Sequence, residues 1–168
     1  MRSHTLALAA HASQTIDAAT LSPSASYDEV TLGQHARLVL DGVQASFKQL
    51  ILERLGARMV ELVNGASLHA GALGFASMGA AITYRIGARC SLVFDASQWD
   101  PEVVANTTFE FASQGSGTLR YFPFINPEWL DCPAVMGYAE GDVLEIAGQG
   151  NPPRFQLRDG RIVAAAAR

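Results

Sequence analysis

The residues of this chain able to do covalent or metal chemistry are four histidines, two cysteines and a scatter of carboxylates and serines. His4, His11, His35 and His69 include no pair four positions apart, the step that sets two imidazoles on one helical face. Cys90 and Cys132 have no further cysteine beside them and read as two free thiols, neither a disulfide framework nor zinc ligands. Asp28 and Glu29, the group Asp95, Asp100 and Glu102 around Trp99, and Glu140 and Asp142 flanking Gly141 all lie in turn-like sequence, where acids stay solvated. The Asp-x-Asx-x-Asx-Gly pattern of a calcium loop is missing. Ser67 and Ser77 follow Ala66 and Ala76, so neither has the flanking glycines of a nucleophile elbow. No glycine-rich phosphate or dinucleotide loop occurs. The expectation is no catalytic residue, no metal and no cofactor. An enzyme would need His69, Cys132, Asp95 and Glu145 to converge in three dimensions.

Two other segments have the composition of contact surfaces. Residues 62–84 carry no charged side chain and hold Gly65, Gly71, Gly74 and Gly79. Within them Gly71, Leu73, Gly74, Phe75 and Met78 are interface candidates, because glycine and alanine let a second backbone approach closely. The Gly, Ala and Phe content of residues 71–81 is similar to that of viral fusion peptides, which would imply membrane insertion. Asn64, Ser67, His69 and the glycines keep the stretch too polar for a transmembrane span. The second segment runs from Tyr121 to Trp129 and sets Tyr121, Phe122, Phe124 and Trp129 among two prolines. These four aromatic residues are expected to finish the core in part and to anchor a partner in part. Trp99, Tyr121 and Trp129 form an alternative stacking surface for a glycan.

Composition narrows the classes. The chain has 168 residues, 49% apolar and 17% charged, with a formal charge of −4. One domain with its own core fits that length, and the charge argues against nucleic acid as a partner. Much of the apolar share is alanine, so the percentage overstates core volume. The N-terminus, Met1 to Ala12, lacks the long apolar run of a secretory signal and is expected to belong to the mature protein.

These residues must be positioned by regular elements. Residues 1–29 read as a first strand and an irregular arm, and residues 30–168 as a single β-rich domain. Val30, Leu32, Leu38 and Leu40 suggest short strands ending at the turn dipeptide Asp41-Gly42. Val43, Phe47, Leu50, Ile51, Leu55, Met59 and Leu62 recur at three- and four-residue steps and predict a helix over 43–63, stopped by Asn64-Gly65. The competing reading is a strand up to Val63 with Asn64-Gly65 as a type I′ turn. Downstream, alternation at 82–86, runs at 90–94, 107–112, 118–124 and 143–147, and glycine-rich turns predict strands. Residues 114–117 read as one hairpin turn and Asp159-Gly160 as the turn into a last strand at 161–165. The expected fold is mainly β (α+β): an antiparallel sandwich or barrel with one substantial helix and no solenoid-type repeat.

The C-terminal stretches 141–146 and 155–163, strands joined through Gly-Asp and Asp-Gly turns, resemble C-terminal strands of phage structural proteins, including decoration and tail proteins. The resemblance implies a virion component and carries no functional residue with it. The functional expectation is a non-enzymatic structural subunit of a bacteriophage particle, contacting copies of itself and other structural subunits, located in the virion if phage-encoded and otherwise in the cytoplasm.

Overall fold

The computed structural model describes residues 5–17, 24–76, 79–95, 107–112, 116–122, 134–146, 155–158 and 161–164, and every regular element among them is a strand. Sheet A stacks β1 (Thr5–Leu8), β4 (Glu29–Leu32), β6 (Gln44–Leu52), β8 (Ser67–Ala76), β10 (Ser91–Asp95), β12 (Thr118–Phe122) and β14 (Val143–Ile146), with β3 (Ser24–Tyr27) also paired to β6. Sheet B stacks β2 (Ser13–Asp17), β5 (Arg37–Asp41), β7 (Gly56–Val63), β9 (Ala80–Ile86), β11 (Thr107–Phe111) and β13 (Ala134–Met136), then β16 (Arg161–Ala164) and β15 (Phe155–Arg158). From β4 to β14 the chain passes alternately from one sheet to the other. Each strand lies parallel to the one a full coil earlier, so the fold is a β-solenoid. Among the described residues only the final pairs, β13 with β16 and β15 with β16, are antiparallel.

This overturns the expected antiparallel sandwich with a helix. Segment 43–63 is two strands of opposite sheets, β6 and β7, joined by a short corner. Ala45 and Phe47 face the core, Lys48 and Gln49 are both exposed, and Leu50 and Leu52 face the core again. The alternation therefore slips by one residue, turning the step from Phe47 to Leu50 into three, the helical spacing. The preceding coil slips at the same place: Tyr27 and Val30 are buried around Asp28 and Glu29, and Tyr27 pairs with Phe47 and Val30 with Leu50. Residues 13–29, read as an irregular arm, carry β2, β3 and the start of β4.

Two expected hairpins are also corrected. Strands β11 and β12 belong to different sheets, as do β14 and β15, so the loops between them cross the solenoid. The turn at Asp159-Gly160 does connect an antiparallel pair, Phe155–Arg158 with Arg161–Ala164. Asn64 and Gly65 both take positive φ, 55° and 75°, and Ala66 N–H donates to the Val63 carbonyl. That is the type I′ signature, yet it turns a corner between sheets and closes no hairpin.

The core is built from columns of side chains stacked coil upon coil. In sheet A, Ala45, Leu68, Leu92, Leu119 and Leu144 are in register; in sheet B, Leu40, Leu62, Ile86 and Phe111 are. Every second residue points inward because strand side chains alternate. Phe94 and Tyr121 from sheet A interleave with Tyr84 and Phe109 from sheet B, with ring centroids 5.1–6.1 Å apart. Each such ring buries roughly 150–250 Å², so this cluster supplies the bulk that the alanine-rich composition lacks elsewhere.

Candidate functional site

With the interior filled by apolar columns, chemistry is confined to the outer faces and the corners. On the outside of sheet B, Arg37, Glu61, Arg85 and Glu110 come from four successive coils and alternate in charge. Glu61 pairs with Arg37 and lies 3.9 Å from Arg85, which lies 3.7 Å from Glu110. On sheet A, Lys48 meets Asp28 at 3.2 Å and Arg120 meets Glu145 at 3.5 Å. These pairs follow from register: parallel stacking sets each residue beside its counterpart one coil away, so opposite charges in adjacent coils meet.

Two corners hold buried polar groups. Asp142 accepts hydrogen bonds from Gly117 N–H at Oδ1 and from Ala139 N–H at Oδ2, both 2.9 Å, and so ties the last corner to the one before it. At the opposite side, Arg58 is only 2% exposed. Its Nε donates to the Leu32 carbonyl at 3.1 Å and one terminal nitrogen to the Gly56 carbonyl at 2.7 Å, while the other has no partner. Burial pushes its guanidinium below the ordinary arginine range, and the Glu53 charge opposes that shift.

The enzyme constellation does not assemble. His69 is exposed on the outer face of β8, opposite Ser46 and Val93. Glu145 stands in the same outward column but three strands further on, beyond Val93 and Arg120. At about 4.8 Å per strand that is roughly 14 Å, too far for proton relay. Asp95 ends β10, opposite Phe122, and Cys132 lies outside the described residues. Cys90 is a buried free thiol whose ionisation burial pushes up, the reverse of nucleophile activation. Among the described residues no group of three or more His, Cys, Asp or Glu side chains is placed to hold a metal.

The interface candidates divide. Gly71, Leu73, Gly74 and Phe75 lie in β8, a central strand of sheet A between β6 and β10. Leu73 pairs with Leu50 and Phe75 with Ile51, so Gly74 is the extra residue of a β-bulge. The close backbone approach offered by this segment is therefore used inside the fold. Tyr121 is buried in the aromatic cluster and presents no surface to a partner or a glycan. Phe122 ends β12, while Met78, Phe124, Trp129 and Trp99 lie outside the described residues.

Sequence reasoning missed the apolar surface that is on view. Met136 is 56% exposed, Tyr138 46% and Val143 50%. All three lie on one coil, at the end of β13, in the corner, and at the start of β14. The Tyr138 ring packs edge-on against Phe111, with centroids 5.3 Å apart, which holds it in place. Isolated in sequence between glycines and acids, these residues form no run that hydropathy would flag. Also missed was the pairing of His11 with His35, whose rings stack 5.1 Å apart on successive coils.

Protein-family models, curated proteins and solved structures were all compared with this chain, and none matches it. Among the described residues no helix is long and apolar enough to cross a membrane.

Proposed function

We propose that the chain is a non-enzymatic structural subunit that works by association with copies of itself or with other structural subunits, within a bacteriophage particle. The observation that carries the reading is the exposed apolar patch of Met136, Tyr138 and Val143. Large apolar side chains grouped on one surface mark association sites, and a tyrosine braced by a neighbour is a low-entropy anchor. The rigid stack of parallel strands supports the same reading, because its described outer faces gather no cluster of metal-ligating or acid–base groups. The virion setting rests on the likeness of the C-terminal strands to those of phage structural proteins.

Mass photometry and sedimentation velocity over a concentration series test association directly. The expected result is a concentration-dependent oligomer, alone or on mixing with structural proteins encoded beside it. A monomer under all of these conditions overturns the proposal.

A further inference from the structure

The solenoid makes the same corner twice in its first two coils. Ala12 N–H donates to the Ala9 carbonyl at 3.0 Å, and Ala36 N–H to the Gly33 carbonyl at 3.1 Å. The third residue of each turn is a histidine with positive φ, 63° at His11 and 60° at His35. That conformation costs an L residue about 1 kcal/mol, whereas glycine adopts it freely. Both imidazoles are exposed, and their centroids lie 5.1 Å apart with the planes inclined by 27°.

The spacing is held by backbone and not by the side chains themselves. His11 N–H donates to the Gln34 carbonyl at 2.8 Å, His35 N–H to the Ala57 carbonyl at 2.9 Å, and Arg37 N–H to the Ala12 carbonyl at 2.9 Å. The nearby Arg37 guanidinium is occupied by Glu61. One coil further, the column reaches Ala57, which offers no ligand, so the set stops at two imidazoles.

Two imidazoles that bind one ion side by side, with metal–nitrogen bonds of about 2.0–2.1 Å, have centroids about 5 Å apart. We propose that His11 and His35 form a two-imidazole site for one borderline divalent transition ion, copper(II), nickel(II) or zinc, with water completing the coordination sphere. Imidazole suits these ions and not magnesium or calcium. Placement on stacked coils fixes the pair before the ion arrives, which lowers the cost of binding.

The test is titration of tag-free, full-length protein with copper(II), followed by calorimetry and electron paramagnetic resonance. His11→Asn and His35→Asn are the informative variants, because asparagine tolerates positive φ and leaves the turn intact. The expected result is one copper per chain with two nitrogen ligands. Either substitution should weaken binding about tenfold or more, as a chelating pair becomes a single ligand, and His4→Asn and His69→Asn should leave it unchanged. Absence of saturable binding overturns the proposal, as does binding that survives either His11→Asn or His35→Asn with its nitrogen count intact.

Discussion

Gly117 and Asp142 are joined across the last two corners by a 2.9 Å hydrogen bond from the glycine amide to the buried aspartate carboxylate. The other carboxylate oxygen takes the Ala139 amide, so one side chain satisfies two corner donors. Replacing Asp142 by alanine leaves both N–H groups without that acceptor. Charge-assisted bonds of this kind are worth about 1.5–3 kcal/mol each. Asp142→Ala is expected to lower stability by roughly 2–4 kcal/mol in urea denaturation. Asp142→Asn, which keeps one acceptor oxygen, is expected to lose less.

Gly137 and Gly65 separate two costs of adding a side chain. Both have positive φ, 70° and 75°. A Cβ on Gly137 would run into the Phe111 carbonyl oxygen, whereas one on Gly65 meets nothing within 4 Å. Gly65→Ala should cost about 1–2 kcal/mol, the left-handed penalty alone. Gly137→Ala should cost clearly more, because the obstacle is backbone of the neighbouring coil. Equal midpoints in thermal melts of the two variants would contradict the coil-on-coil packing.

Alkaline stability follows from the buried phenols. Burial pushes the ionisation of Tyr84 and Tyr27 above the ordinary tyrosine value. In the unfolded chain they ionise near pH 10, so above that pH the unfolded state binds fewer protons than the native state and stability falls as pH rises. Below about pH 9 these groups contribute no slope. The Tyr84 hydroxyl is fully buried and has no hydrogen-bond partner. Tyr84→Phe is therefore expected to be neutral or to stabilise by up to about 1 kcal/mol at pH 7, and to flatten the loss above pH 10. Chemical denaturation at pH 7, 9 and 10.5 checks both signs.

Glu61 lies between Arg37 and Arg85 on the outside of sheet B. Both arginines are substantially exposed, so the pairs are screened and Glu61→Gln should cost only about 0.5–1 kcal/mol. Glu61→Arg places three cations in a row and should cost more. Denaturation with and without added salt separates the contributions, because salt should recover part of that difference but little of any packing loss.

What could be read from the sequence was local. Alternation at Ile82, Tyr84 and Ile86, the turn at Asp41-Gly42 and the hairpin at Asp159-Gly160 are all present. Pairing partners were not legible, because alternation says which residues face inward and not which strand lies alongside. The repeat was hidden by its own irregularity: the coil that carries the chain from Val30 round to Leu50 is several residues shorter than the one from Leu92 round to Leu119. The slip at Lys48 and Gln49 imitated a helical period. His11 and His35 escaped notice because ligand spacing on a solenoid is one whole coil of chain, far longer than the single turn that brings two side chains together on a helix. The apolar patch of the last coil was hidden in the same way, since Met136, Tyr138 and Val143 are gathered by a corner and not by a run of sequence.

Association through the last coil is checked most sharply by sedimentation velocity of wild-type protein beside the triple variant Met136→Ser, Tyr138→Ser, Val143→Ser. All three side chains are about half exposed, so the substitutions remove surface and leave the columns of the core intact. The expected outcome is an oligomer for the wild type and a folded monomer for the variant at the same concentration. An oligomer undiminished by the three substitutions, or a wild-type monomer that binds no structural partner, would refute association through this surface.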